Sequence, residues 1–351
     1  MNKILFSASD PGGGNAILPV IHELQKQKIE LFGIVDGPSK EIFNREKINF
    51  LDAQLINPNQ LAEILSAFNP DLFVSGTSWG ATIDKQILLW CKNQAVKSIY
   101  VLDFWTNYWQ RFSREGKDFY FLPDYICVMD DLAKKAMCAE GFSSDILVVT
   151  GNPHFDHFID DIQNDKEITG RILFVSQPLR HLGAQETIEE YGYDEYKTLG
   201  DLLKAMRDAP RNFELIIRLH PKEDACKFDS LMAVNGVRVA KDDLSNVQES
   251  ISRSELVIGM NSMVLFQAAI AGKNVISYQP GLKREDSLIS NQLGFSELIT
   301  DYDRLVGKLK GYFAGSEHQK LIKQGTNKII KNATQNVTTF IATLAKQGKE
   351  K

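Results

Sequence analysis

Several things are scarce in this chain of 351 residues. No apolar run approaches about 18 residues, so no bilayer-spanning helix is expected. Basic charge is not in excess: 40 Lys and Arg face 45 Asp and Glu, for a net charge of −5. That balance leaves no basic footprint and argues against nucleic acid as a partner. The four cysteines, Cys91, Cys127, Cys138 and Cys226, form no C-x-x-C pair. They are expected to be reduced thiols and not a zinc site. The chain enters an apolar strand at residues 3–7, leaving no room for a signal peptide, so the cytoplasm is the expected compartment. The sequons at Asn332 and Asn336 are then ordinary helix-surface residues.

The chain does hold a regular alternation of strand and helix. A strand at residues 3–7 precedes a helix with Ile17, Val20, Ile21 and Leu24 on one face, at i, i+3, i+4, i+7 spacing. Leu61, Ile64, Leu65 and Phe68 repeat that spacing over 60–68. Strands are expected at 31–35, near 50, and at 71–75, 98–102, 125–129 and 146–149, with helices at 83–93 and 132–140. Apolar strands without strict alternation, joined by helices, predict a parallel sheet covered on both faces. Residues 152–169 are polar and acidic and read as a linker. The pattern then restarts: strand 171–175, a polar loop to 196, helix 199–207, strands 213–218 and 237–239, helix 247–252, strand 256–259, helix to 271 and strand 274–278. An amphipathic helix over 319–344 ends the chain. The expected class is α/β: two doubly wound Rossmann-like domains, 1–160 and 161–351, facing a central cleft, with the last helix able to pack back on the first domain.

Residues 256–281 carry the sharpest local signal. Asn261 and Ser262 stand at the end of a buried strand, where a helix start needs side-chain oxygens and offers unpaired N–H groups. Such a start, with Met263 as its next amide, suits an anion, most often phosphate. An ordinary capped strand–helix unit would read the same way. Upstream, a strand empties into Arg218, His220 and Lys222, three further phosphate donors. Arg180 and His181 also follow a strand, and Arg grips phosphate bidentately.

In the first half, Asp10 precedes Gly12, Gly13, Gly14 and Asn15 in the first strand-to-helix loop. Consecutive glycines let backbone approach a ligand closely, though a glycine turn need be nothing more. The spacing is not that of a G-x-G-x-x-G dinucleotide site, and Asp36 is only a loose match for its acid. Asp10 is placed as a general base; Asp-Pro is also a common turn opener. Thr77 and Ser78 end another strand with small hydroxyl side chains. Residues 103–112 gather Asp103, Trp105, Tyr108, Arg111 and further aromatics, a mixture suited to a sugar ring or to a packed closing loop. His154, Asp156 and His157 could ligate a metal, but a structural role is the commoner one. Glu189, Glu190, Asp194 and Glu195 read as a solvated acidic loop or a lid.

The segments PDLFVSG, SIYVLDFW, PDYICVMDDLAKKAMCAEGF and VVTGNPHFDHF resemble the N-terminal half of the GT-B superfamily. Thr150-Gly151-Asn152 in particular is similar to the layout of the UDP-GlcNAc 2-epimerases. RLHPKE and NSMVLFQAAIAGKNVI are similar to GT-B glycosyltransferases of bacterial surface polysaccharides, including sialyl-, polysialyl-, Kdo- and CDP-glycerol transferases. In those families a His-Pro pair and a later Ser-rich helix start bind the donor phosphate, and His220-Pro221 and Ser262 match these positions. Departures are specific. Leu102-Asp103-Phe104-Trp105 replaces the epimerases' His-x-Glu-Ala-Gly, and Asn261-Ser262-Met263 with Gln267-Ala268 replaces their Ser-Gly-Gly and paired glutamates. Gln177-Pro-Leu-Arg-His181 stands where they carry His-Arg-Arg-Glu-Asn.

The resemblance implies a metal-independent glycosyltransferase of cell-surface glycan synthesis, with no cofactor beyond a CMP- or UDP-linked nucleotide-sugar co-substrate. Arg180, His181, Arg218, His220, Lys222, Asn261, Ser262 and Met263 would hold the donor, and Asp10 or Asp103 would be the base. Gly12, Gly13, Gly14, Asn15, Thr77, Ser78, Trp105, Tyr108 and Arg111 would meet a glycan or lipid-linked acceptor. The expected setting is the cytoplasm, free or peripheral to the inner membrane. A hydrolysing UDP-GlcNAc 2-epimerase and a non-catalytic GT-B binding module are the alternatives.

Overall fold

A computed structural model describes residues 3–27, 29–156, 168–182, 184–207, 210, 213–232, 236–244, 246–315 and 330–347. The chain divides into two compact units, Met1–His157 with Ile330–Lys351, and Phe158–Ile329.

In the first unit the strands are β1 (Lys3–Ala8), β2 (Glu30–Val35), β3 (Leu51–Asp52), β4 (Leu72–Gly76), β5 (Lys97–Val101), β6 (Tyr125–Val128) and β7 (Leu147–Val149). They form one sheet in the order β3-β2-β1-β4-β5-β6-β7, with every pairing parallel. Chain order reverses between β1 and β4, which makes their carboxyl ends the switch point of the sheet. The helix Pro11–Lys26 buries Ile17, Val20, Ile21 and Leu24, the face its spacing marks. The helix Ala333–Gln347 adds Val337 and Ile341 to the same core. Its start is held by Asp156, whose carboxylate accepts the N–H of Ala333 at 3.1 Å and of Thr334 at 2.7 Å. Asp156 is thus occupied as a helix cap; His157 lies outside the described residues. Cys91 and Cys127 are buried here, and burial pushes both thiols up to about 12, while Cys138 and Cys226 are exposed.

In the second unit the strands are β8 (Arg171–Val175), β9 (Glu214–Arg218), β10 (Arg238–Lys241), β11 (Leu256–Gly259), β12 (Asn274–Tyr278) and β13 (Glu297–Ile299). Their order is β10-β9-β8-β11-β12-β13, again all parallel, with the reversal between β8 and β11.

Three expectations need correction. The polar stretch after β8 is not a loop to 196: it holds the helix Ala184–Tyr191, and the next helix, Glu195–Ala205, starts four residues early. Asp194 caps that helix through the Lys197 N–H at 2.7 Å, and Asp194 and Glu195 are 3% and 0% exposed, so neither belongs to a solvated loop. The closing helix begins at Ala333, and 316–329 lie outside the described residues.

Glycine is required where the helix Pro11–Lys26 meets β4. A Cβ on Gly13 would lie 2.3 Å from the Thr77 carbonyl oxygen, and one on Gly76 2.2 Å from that of Gly13. Backbone on both sides leaves little room to yield. Gly13→Ala should therefore destabilise the protein by about 1–3 kcal/mol in urea unfolding. Gly307→Ala, whose Cβ meets nothing within 4 Å on the helix Tyr302–Phe313, should instead gain roughly 0.5–1 kcal/mol.

Candidate functional site

In the first unit the polar groups gather at the carboxyl ends of β1, β4 and β5. At their centre is Asp84, 0% exposed in the first turn of the helix Ile83–Asn93. Its Oδ1 accepts from Ser78 Oγ at 2.7 Å and Ser9 Oγ at 3.2 Å, and its Oδ2 accepts from the Tyr100 hydroxyl at 3.2 Å. Lys85, 2% exposed, donates to the carbonyls of Ser78 at 2.9 Å and Gly80 at 2.7 Å. Burial lowers its pKa, with Asp84 and Asp10 opposing the shift. The loop 78–80 is thereby fixed, and its Trp79 N–H donates to Asp10 Oδ2 at 2.7 Å.

Asp103 stands at the same edge. Its Oδ1 accepts from Thr77 Oγ1 at 2.6 Å and Arg111 Nε at 3.0 Å, and Arg111 Nη1 also donates to the carbonyls of Thr106 and Asn107. A Cβ on Gly12 would fall 2.1 Å from Asp103 Oδ2, so the glycine loop and this carboxylate are in close approach. Asn152 Nδ2 donates to the Asp103 carbonyl at 3.2 Å, which ties the Thr150-Gly151-Asn152 segment to it. Asp10, Gly12, Gly13, Thr77, Ser78, Asp103 and Arg111 are therefore brought together. Gly14 packs instead on Ser39, and Asn15 is half-buried one residue on. Trp105 and Tyr108 are 6% and 3% exposed. The Trp105 indole donates to Asp130 at 2.8 Å and stacks on Phe155, so its faces are spent on packing.

The second unit gathers its groups beside β8. Asn261 and Gln177 bond reciprocally: the Asn261 N–H donates to Gln177 Oε1 at 2.9 Å, and Gln177 Nε2 to Asn261 Oδ1 at 2.8 Å. This pair bridges the loops after β8 and β11, at the switch point. Ser262 caps the helix Met263–Ile270, accepting the Val264 N–H at 3.2 Å. His220 follows β9; its N–H donates to Glu223 Oε2 at 2.7 Å, and Glu223 Oε1 accepts from Ser176 Oγ at 2.9 Å. His220 Nδ1 accepts the Lys222 N–H at 3.1 Å, which suits the tautomer protonated at Nε2. Lys227 sits behind, bonded to both Glu195 and Glu223. Lys222 is exposed.

Two of the expected phosphate donors are engaged elsewhere. Arg218 donates to Asp242 at 2.7 Å, Ser250 Oγ at 2.9 Å and the Leu244 carbonyl at 3.0 Å. Arg180 donates to Asp194 at 2.7 Å and lies over the Tyr196 ring, though its side chain remains 45% exposed. The His181 side chain lies outside the described residues. Among the described residues no group of three or more His, Cys, Asp or Glu could hold a metal ion, and no helix is long and apolar enough to cross a membrane.

Sequence reasoning missed Asp84, Lys85, Gln177 and Glu223, all of which sit behind the residues it chose. An acid in a helix's first turn reads as a cap, and nothing in its spacing marks Asp84 as a buried hub. It also undervalued Asp36, which lines a cavity of about 400 Å³ in the first unit with Gln54, Ile56, Leu61, Ile83 and Gln86. Burial raises the Asp36 pKa above the ordinary carboxylate value and Asp84 and Asp10 add to this, against the Ser9 hydroxyl and the Ile83 N–H. A raised carboxyl pKa means the folded state binds the proton more tightly, so stability falls as pH rises from the unfolded value through the folded one. Asp36→Asn should remove that slope and raise stability at pH 7, read from urea midpoints at pH 4 to 8; an unchanged slope would contradict this.

No protein-family model and no curated protein sequence matches the chain. Solved structures do. The UDP-GlcNAc 2-epimerase of Neisseria meningitidis bound to UDP-GlcNAc superposes with a TM-score of 0.72 at 16% identity, over 98% of this chain and 100% of that one. MurG of Acinetobacter baumannii gives 0.58 at 12% identity, over 98% and 100% of the two chains. The glycotransferase of kitacinnamycin gives 0.60 at 11% identity, over 98% and 99%. At such identities the likeness concerns architecture: the chain has the two-domain α/β fold of the GT-B proteins.

Proposed function

We propose that the protein is a nucleotide-sugar enzyme that breaks the anomeric C–O bond of its donor and passes the sugar to a glycan acceptor. The observation that carries this is the grouping in the second unit of His220, the Gln177–Asn261 pair and the helix start at Ser262, all at the carboxyl edge beside the switch point. Amide donors, an imidazole N–H and the exposed Lys222 suit a phosphate that gains negative charge as its bond to the sugar breaks. The proposed donor set is His220, Lys222, Asn261, Ser262 and Met263, with Arg180 and His181 assisting. Arg218 is left out because its guanidinium is committed to Asp242, Leu244 and Ser250.

On the first unit, Asp10 is proposed as the base. Among the described residues its carboxylate is bonded to one backbone N–H, whereas Asp103 Oδ1 is held by Thr77 and Arg111. Asp10 would take the proton of the acceptor hydroxyl as that oxygen bonds to the anomeric carbon. The C–O bond to phosphate breaks, and its electron pair leaves with the nucleotide. Asp103 would hold the glycine loop in place beside it. Because the Neisseria meningitidis structure holds UDP-GlcNAc, a UDP-linked sugar is the first donor to try, ahead of the CMP-linked acidic sugar suggested by the His-Pro pair. Surface polysaccharide synthesis would be its setting.

The second reading is a hydrolysing epimerase, favoured by the TM-score of 0.72 to an enzyme of that kind. Against it stand Gln267 and Ala268 in place of paired glutamates. UDP-GlcNAc incubated with the protein alone separates the two: release of UDP with an epimerised sugar supports epimerisation, and turnover only with an added acceptor supports transfer. His220→Ala should lower either turnover about 10²-fold or more with an unchanged urea midpoint; wild-type rates in that variant would remove His220 from the phosphate site.

A further inference from the structure

Trp79 is an exposed indole on a loop that is otherwise pinned. The residue is 51% exposed, while both neighbours are anchored: Lys85 holds the carbonyls of Ser78 and Gly80, and the Ser78 hydroxyl lies on Asp84 and Thr82. The Trp79 N–H itself is bound to Asp10. A floppy loop could fold its indole onto the core and bury well over 100 Å² of apolar surface. This one cannot relax that way, because moving Trp79 would strip carbonyls from a buried ammonium and a donor from Asp10. Gly80, at φ +77°, turns the chain away immediately afterwards, and a Cβ there would meet nothing within 4 Å, so the space beside the loop is open.

Rigid backbone, an unpacked aromatic face and a carboxylate one hydrogen bond away make a recognition element whose ordering cost is already met by the fold. What fits is a ring with an apolar face and a hydroxyl rim. The polar groups beside the loop are the Asp10 carboxylate and the half-buried Thr82 hydroxyl, which suit hydroxyl groups better than a lipid tail or an apolar helix. We propose that Trp79 is the stacking platform of an acceptor subsite for a neutral pyranose, seated so that one hydroxyl reaches Asp10. This rests on the transfer reading for its role, and adds the acceptor's class and the residue that selects it. Lys85 acts as a positioning residue, holding the platform and the Asp10 donor in register.

The test uses saturation-transfer NMR on the full chain with methyl β-D-glucopyranoside and methyl N-acetyl-β-D-glucosaminide as probes. Wild type should saturate the ring C–H protons of at least one glycoside. Trp79→Ala should weaken that binding about tenfold and Trp79→Phe distinctly less, while the thermal shift produced by the binding nucleotide is unchanged in both. Undiminished saturation in Trp79→Ala, or none in wild type, overturns the platform and leaves the donor reading standing. Glycoside binding that depends on Trp79 in a protein that no nucleotide stabilises keeps the platform and removes the donor reading.

Discussion

A carboxylate taken out of water has to be answered by donors, and in the first unit Asp84 is answered by side chains from three separate strand ends. Ser9 follows β1, Ser78 follows β4 and Tyr100 lies within β5. The penalty for leaving such a group unmatched is several kcal/mol, so these bonds fix the three strand ends relative to one another. The neighbouring Lys85 extends the same constraint to the loop 78–80, where Trp79 meets Asp10. A general base needs its position set within fractions of an ångström. For the proposed base Asp10, the buried charges of Asp84 and Lys85 would supply that precision.

The second unit solves the same problem with the opposite charge at its centre. Lys227 is buried between Glu195 and Glu223. Glu223 passes the constraint outward to the His220 N–H and the Ser176 hydroxyl. The loops after β9 and β8 are thus joined through the His220 backbone, and the Gln177–Asn261 pair carries the join across to β11. Each unit therefore keeps a desolvated ionic core under its switch point, with the residues proposed for binding and chemistry further out.

Much of this architecture was legible because parallel strands buried on both faces leave near-continuous apolar runs. Residues 256–259 and 274–278 were bounded correctly, since Gly259, Gly272 and the Asn261-Ser262 cap punctuate them. The three-residue strand Glu297–Ile299 is too short for any period to show. The helix Tyr302–Phe313 carries a readable signal, Asp301 as cap and Leu305, Leu309 and Tyr312 on one face, absent from the expected elements above. Site residues divided along a physical line. Groups presented by strand-end loops, such as Asp10, His220 and Ser262, are visible as polar residues where apolar runs stop. Buried groups that hold these from behind, such as Asp84, Lys85 and Glu223, look in sequence like ordinary surface charges, because burial is a tertiary property. Arg218 shows the converse: a strand-end arginine that reads as a ligand yet serves Asp242.

On the proposed reading, the second unit grips a nucleotide phosphate through His220 and the Asn261–Ser262 helix start. That grip is tested most directly by thermal unfolding with CMP, CDP, UDP and GDP in turn, on the wild type and on His220→Ala. Ligand present at about 100 times its dissociation constant stabilises the native state by about 2.7 kcal/mol. At least one nucleotide should raise the wild-type midpoint, with that rise largely lost in the variant. No rise with any of the four, or an equal rise in both proteins, would contradict it.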